Sequence, residues 1–517
     1  MDYLVVGAGP AGLQLAYLFQ RAGWDYLVLE AGPTPGTFYR TFPRHRRMIS
    51  INKPHTGWHD PEKDLRVDWN SLLSDDPQLR FTRYTGRYFP HADDYVRYLT
   101  DFGQGLRIRY GARVAQVAKG RSGSGFDVTC EDGSTLHAER VIAATGFGAV
   151  NVPAIPGIET TESYWDVPVD PAGFTEQRVL IIGKGNSAFE TADNLTEHAA
   201  VIHVAGPRSV NFAWRTHFIG HLRAVNNNFL DTYQLKTQNM VLDGDILRIE
   251  RRADDYLVTF SYARRDKVVQ LAYDRVITCT GFRIDASIFA ADCAPALTIN
   301  DRFPALTAEW ESVNVPGLYF AGTLTQSRDF KKYTSAFIHG FRYGIRALVH
   351  MLGQRYHGVE WPYRAVAVDS IADAMLARIN RTSALFQQFG FLCDAVTRDG
   401  RYYEEMPLDY VPFPDCFTVS LEYGAGHDAI DPFDVAAGRA WEADKAHDDR
   451  YLHPVVRCRR DHQVVDTLRL PEDICNDWTD EKLYREPLRA FIARNVAAGT
   501  AAGVAAGQSA EATGEAR

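Results

Sequence analysis

Leu4-Val5-Val6-Gly7-Ala8-Gly9-Pro10-Ala11-Gly12 sets three apolar residues in front of a GxGxxG turn. An apolar run with helical spacing (Leu13, Leu15, Ala16, Leu18, Phe19) comes next and closes at Gly23. It leads into Tyr26-Leu27-Val28-Leu29, which ends on Glu30. Strand, turn, helix and strand in that order make the βαβ unit of a parallel sheet. Each glycine has a task in it. Gly7 allows the tight turn, Gly9 lets the backbone approach a pyrophosphate, and Gly12 lets the helix pack close to the strand. The helix start offers unpaired N–H groups and partial positive charge to phosphates. A carboxylate at Glu30 can accept from both ribose hydroxyls, so the unit predicts a dinucleotide site.

The same unit recurs. Val179-Leu180-Ile181-Ile182 precedes Gly183-Lys184-Gly185-Asn186-Ser187-Ala188, a helical run through Leu195, and a strand over Ala200–Val204. This second strand runs into Ala205-Gly206-Pro207-Arg208 instead of an acid. A carboxylate there would repel a 2′-phosphate, whereas an arginine attracts it; Lys184 adds positive charge. The second site therefore reads as NADPH. Two dinucleotide sites in one chain are the arrangement of a flavoprotein that takes hydride from a nicotinamide, which assigns FAD to the first. Buried-strand patterns ending on Thr145-Gly146, on Thr280-Gly281 and on Gly322-Thr323 agree with this. Helical spacing over Tyr333–Leu352, with His339 and Arg342 a step apart, brings a helix start to the flavin's pyrimidine edge.

The expected fold class is α/β, with two Rossmann-like dinucleotide-binding domains (FAD and NADPH) plus a C-terminal mixed α+β domain. Residues 1–152 and 281–355 form a discontinuous FAD-binding domain, 153–280 the NADPH-binding domain, and 356–495 the C-terminal domain. Within the last, Ile371–Phe389 reads as helical. Residues 496–517, nearly all Ala, Gly, Ser, Thr, Glu and Gln, are too poor in apolar side chains to order and read as a disordered tail.

Composition narrows the function. The 517 residues are 45% hydrophobic and 23% charged, ordinary for a globular enzyme, and the net charge of −9 argues against phosphate-driven nucleic-acid binding. No apolar run approaches the ~20 residues a membrane helix needs. The seven cysteines form no CxxC, against a zinc ribbon, a redox dithiol or a disulfide scaffold. His55 and His59 lack the Glu of a zinc motif, so no metal is expected. With a strand starting at Tyr3 there is no room for a signal peptide, and a reducing cytoplasm is the expected location.

Phe42-Pro43 leading to Ile51-Asn52-Lys53-Pro54, and Asn186-Ser187-Ala188 in the second turn, resemble the class B flavin monooxygenases, whose members include amine, sulfide and ketone oxygenases. The resemblance implies that Asn52 lies beside the flavin's reactive edge and that NADP⁺ stays bound to protect a C4a-hydroperoxide. Further runs are similar to the FAD-dependent oxidoreductase domain-containing proteins. They include Pro43-Arg44-His45-Arg46, Asp231-Thr232-Tyr233-Gln234-Leu235-Lys236, Phe337-Ile338-His339-Gly340-Phe341-Arg342-Tyr343 and Leu452-His453-Pro454-Val455. That resemblance extends along almost the whole chain and implies FAD, NADPH and the fold.

These readings assign candidate roles. Asn52 and Lys53 are the catalytic candidates. Gly7, Gly9, Gly12, Glu30, Arg40, Thr145, Gly146, Gly183, Gly185, Asn186, Ser187, Arg208, Gly281, Gly322 and His339 are the cofactor-binding candidates. The run Arg44-His45-Arg46-Arg47 is basic for an acidic protein, and arginines bind carboxylates through paired hydrogen bonds. Arg44 and Arg47, with Asn226, Asn227 and Lys236 as a distal wall, are therefore the substrate-binding candidates. The expected reaction is N-hydroxylation of a small, carboxylate-bearing amine by NADPH and O₂. An NADPH oxidase or flavin reductase is the alternative, allowed because Pro156 to Trp165 lacks the family's glycine–histidine–aromatic fingerprint; sulfide or ketone oxygenation is the other. The partners expected are a small-molecule substrate and O₂, with no nucleic acid, no membrane, and a homodimer admitted.

Overall fold

Tyr3–Val6 lies between two parallel neighbours, Tyr26–Leu29 and Arg140–Ala143, in register from Tyr3 opposite Tyr26 and Arg140. Leu318–Phe320 and Ile108–Arg109 complete a five-stranded parallel sheet. The helix between the first two strands, Pro10–Ala22, has proline in its first turn and ends at Gly23 in the left-handed region (φ 71°), whose N–H reaches the Gln20 and Phe19 carbonyls. Leu4, Val6, Val141 and Phe320 pack with Val117, Phe126 and Val128 of a three-stranded antiparallel sheet, forming the core of this half.

The second glycine turn sits in a seven-stranded sheet in which Arg178–Ile182 pairs in parallel with Val201–Gly206 and Arg275–Thr278. Alternation along one strand splits its core. Val179 and Ile181 pack on the helix Asn186–Leu195, while Leu180 and Ile182 pack with Leu242, Val258 and Phe260. The computed structural model describes residues 1–121, 123–236, 239–264, 267–435, 439 and 443–497. It divides into two compact units, Met1–Thr56 with Val67–Ile345, and Gly57–Arg66 with Arg346–Arg517.

The second unit carries a six-stranded antiparallel sheet and the helix Ile371–Arg381, so the α/β class with a mixed C-terminal part holds. Residues 57–66 belong to it by charge. Arg378, almost fully buried, faces Glu62, Asp394, Glu404 and Glu405 together. Arg66, 2% exposed, donates to the Ile379 and Thr382 carbonyls at 2.6 and 2.9 Å, capping the helix end.

Two helices differ from expectation. The one expected from Tyr333 begins at Ile338 and runs to His357. The chain before it folds back so closely that a Cβ on Gly340 would stand 2.0 Å from the Thr334 carbonyl oxygen, and Asp329 holds the Ser335 N–H at 2.9 Å. The run expected over Ile371–Phe389 breaks at Thr382, whose ψ of 132° is extended, before a short turn of helix at Ala384–Gln387. The tail lies, from residue 498 on, outside the described residues.

Removing Arg378 leaves Asp394 and Glu405 buried with less countercharge. Arg378→Met should cost roughly 3–5 kcal/mol of stability, read by urea unfolding; a loss below about 1 kcal/mol would mean that the cluster does not hold this unit together.

Candidate active site

The two glycine turns share one geometry. Gly7 (φ +103°) and Gly183 (φ +124°) lie in backbone space closed to other residues, and a Cβ on either would press on the Ala144 or Cys279 carbonyl oxygen at 2.8 and 2.2 Å. A Cβ on Gly12 would stand 1.9 Å from the Gly7 oxygen, so its absence lets helix and turn touch. Gly9 and Gly185 differ: a Cβ there meets no protein atom within 4 Å. Both precede a helix start whose first N–H groups point outward. The space where a Cβ would stand on Gly9 and Gly185 is thus free of protein at the start of a helix, and a dinucleotide pyrophosphate fits it.

Around the first turn, Glu30 is 5% exposed and braces the loop. Its Oε2 accepts from Ala8 N–H at 2.7 Å and its Oε1 from Gly32 N–H and the Thr37 hydroxyl, both at 2.8 Å. Gly322 packs on Ala11, Thr145 and Gly146 follow the neighbouring strand, and Arg40 donates to Thr34 at the surface. Around the second turn, Gly281 follows the strand Arg275–Thr278 with φ +84°, and Ser187 lines a small cleft with Tyr164, Trp165 and Cys279. Lys184 is taken up by Asp243 and the Arg208 carbonyl, while the Arg208 side chain is exposed.

Asn186, the first residue of the second helix, bonds four ways. Its Nδ2 donates to Gly220 O (3.1 Å) and His221 O (2.8 Å); its Oδ1 accepts from Arg223 N–H (3.0 Å) and Asn226 Nδ2 (3.4 Å). The loop so fixed sets the Arg223 guanidinium 5.0 Å over the ring of Trp69. Trp69 in turn stacks on His339 at 4.4 Å with planes 25° apart. His339 is 2% exposed, and neither ring nitrogen has a hydrogen-bond partner among the described residues. Burial, with Arg342 and Arg223 nearby, holds it well below the usual histidine pKa, so it is neutral. Trp69 N–H bonds to Ile51 O at 3.1 Å, which brings Asn52 alongside. Asn52 is fully buried; its Nδ2 donates to Thr85 O at 2.7 Å, and its Oδ1 has no partner among the described residues. No acid pairs with Arg223 among the described residues, and burial draws its pKa below the usual arginine value.

The other candidates are dispersed. Lys53 is exposed. Arg44 gives its Nη2 to Val167 O at 2.7 Å, and exposed Arg47 lies 5.7 Å over Phe89. Asn226 is buried against Asn186, and half-buried Asn227 precedes the helix Asn228–Lys236. The Lys236 side chain lies outside the described residues. Sequence reasoning missed Trp69, Arg223, Tyr164 and Glu190. Tyr164 donates its hydroxyl to buried Glu190, whose carboxyl burial pushes up to about 7. His45, beside Thr191 and Arg44, falls to about 4.

Two nucleotide turns in one unit, with an aromatic and cationic stack tied to the second of them through Asn186, define a flavoprotein oxidoreductase that works with a pyridine nucleotide. Comparison with known proteins agrees. The chain belongs to the pyridine nucleotide-disulphide oxidoreductase family, whose profile matches residues 4–322, and within it groups with FAD-dependent oxidoreductases. It is 34% identical to FAD-dependent oxidoreductase domain-containing protein 2 of Mus musculus over 95% of this chain and 83% of that protein. The same protein of Danio rerio is 35% identical over 95% and 82%. Among solved structures, a flavin-containing monooxygenase from Stenotrophomonas maltophilia shares the fold over 67% of this chain and 98% of its own, with a TM-score of 0.51 at 22% identity.

Two outcomes test this site. Gly9→Ala should fold with an unchanged circular dichroism spectrum yet lower bound flavin roughly tenfold, because the added methyl meets no protein and stands where the cofactor would lie; retained flavin would show that this space is not used. Glu190 remains protonated in the fold while the unfolded chain ionises above about pH 4.5. Stability should therefore fall by about 1.4 kcal/mol per pH unit from there toward pH 7 and then level off. Glu190→Gln should lessen the slope by about that amount in thermal melts taken between pH 5 and 7, while Asp193, Asp329 and Asp394, whose carboxyls burial also raises, keep their own share of it.

Proposed function

We propose that this chain is an NADPH-dependent flavin monooxygenase that N-hydroxylates a small amine bearing a carboxylate. The redox chemistry, hydride uptake from NADPH and oxygen activation, is what FAD supplies when bound. The balance is R–NH₂ + O₂ + NADPH + H⁺ giving R–NHOH + NADP⁺ + H₂O. NADPH over NADH rests on Arg208, exposed where an acid would repel a 2′-phosphate.

The observation that carries the substrate class is the guanidinium of Arg223, half-buried, without an acid among the described residues and seated on Trp69 beside His339. Such a group gains most from a carboxylate held by two parallel hydrogen bonds. It takes the role expected of Arg44, whose guanidinium serves the Val167 carbonyl. Asn52 Oδ1 and the two ring nitrogens of neutral His339 lie buried beside Trp69, unpaired among the described residues. Trp69 keeps water from one face of that cluster. Nothing here requires a covalent step on the protein. Seven free cysteines, six of them buried, suit a reducing cytoplasm.

The test is NADPH consumption with a panel of amino acids and their decarboxylated amines, with hydroxylamine products read by mass spectrometry. A carboxylated amine should yield product in step with NADPH. Arg223→Ala should raise its KM by about 30-fold while that of the decarboxylated amine moves less than about threefold. Complete conversion of O₂ to peroxide whatever amine is present would overturn the reading in favour of an NADPH oxidase.

A further inference from the structure

Three strands of the second sheet end side by side: Arg178–Ile182 at the glycine turn, Val201–Gly206 just before Arg208, and Arg275–Thr278 just before Gly281. This edge needs positive charge to hold a dinucleotide, and Lys184, the lysine in the turn itself, is committed to Asp243. Two other cations reach the same edge from the half that carries the first turn. Arg302 donates through Nε and Nη2 to Phe282 O at 3.2 and 3.1 Å, and its Nη2 lies 3.2 Å from where a Cβ on Gly281 would be. Lys331 is tied to it by an aromatic chain: Arg302 lies 5.7 Å from the Phe303 ring, Phe303 5.6 Å from Phe330, and Phe330 5.4 Å from the Lys331 ammonium.

Lys331 is held with φ +56°, in the left-handed region that a lysine seldom adopts. Strained backbone persists where its surroundings impose it. Partial desolvation of the Lys331 ammonium lowers its pKa, and repulsion from Arg302 and Arg208 lowers it further. No carboxylate pairs with any of the three among the described residues. Arg208 and Lys331 are exposed, so a ligand reaches them from solvent.

We propose that Lys331, with Arg302 and Arg208, binds a phosphate of the pyridine dinucleotide, so that the nucleotide is gripped from both halves of the first unit. A phosphate placed among three cations relieves their mutual repulsion and accepts charge-assisted hydrogen bonds from ammonium and guanidinium alike. The proposal rests on the second turn being the pyridine-nucleotide site.

The test is calorimetric titration of the full-length, FAD-loaded protein with NADP⁺ and with NAD⁺. Lys331→Gln should raise the Kd for NADP⁺ about tenfold, with the flavin absorbance spectrum unchanged, and Lys331→Arg should bring it back to within about threefold. A loss confined to NADP⁺ assigns the cluster to the 2′-phosphate, and an equal loss with both nucleotides assigns it to the pyrophosphate; either supports the site. Unchanged binding of both, or an equal loss in Lys331→Arg, overturns it. Wild-type protein that prefers NAD⁺ would defeat the NADPH reading alone, since the pyrophosphate is common to both nucleotides.

Discussion

The amide of Asn186 is the joint on which the site depends. A side-chain amide has two donors and two acceptor positions, and all four are engaged, by Gly220, His221, Arg223 and Asn226. Because Asn186 is also the first residue of the helix that leaves the second glycine turn, the loop at 220–226 is registered directly to the turn. One face further along that helix, Asp193 accepts the Phe229 N–H at 2.5 Å and holds the other end of the same segment. No other residue type of this size reproduces the pattern. Aspartate has no donors for the two carbonyls, and serine lacks the reach.

That registration divides the cations by task. Lys184 and Arg44 are used to assemble the protein, one on Asp243 and one on the Val167 carbonyl. Arg223 is the opposite case: the loop brings its guanidinium onto Trp69 with no acid among the described residues to meet it. Partial burial of an unpaired cation is costly, and a chain selected only for stability would pair it or replace it with an apolar residue. Arg342 shows how a structural arginine looks here, fully buried with Nη1 donating to the Asp68 and Ser71 carbonyls.

The sequence made the glycine turns legible because their requirement is local. A turn that closes on carbonyl oxygens at 2.8 and 2.2 Å admits only glycine, and that constraint is written in single residues at fixed spacing. The strands flanking the turns, the terminal glycine of the first helix and the mixed C-terminal unit arise from local patterns too. Trp69 and Arg223 were not legible. Neither sits in a periodic run, and the stack that joins them to His339 draws on three distant stretches of chain. Residues 57–66 were equally hidden. Their place is decided by Arg66 capping a helix that starts at Ile371 and by Glu62 meeting Arg378, partners that no local pattern announces. Around Arg44, the basic composition does not reveal that one guanidinium N–H is given to the Val167 carbonyl.

The polar atoms left over by folding are themselves informative. Asn52 Oδ1 and both ring nitrogens of His339 are buried without partners among the described residues, and they belong to residues that flank Trp69. Each unsatisfied buried group costs about 1–3 kcal/mol, a burden that leucine at 339 would remove while keeping the packing on Trp69. Neutral His339 cannot be retained for its charge, since burial and two neighbouring arginines exclude the protonated form. Its value lies in offering a donor and an acceptor at one apolar face, next to an acceptor on Asn52 and a cation on Arg223. Hydrogen-bonding groups of both signs thus gather around one indole, and under the proposed function they would meet a small ligand carrying its own donors, acceptors and negative charge. Binding such a ligand would return free energy that folding alone leaves unrecovered.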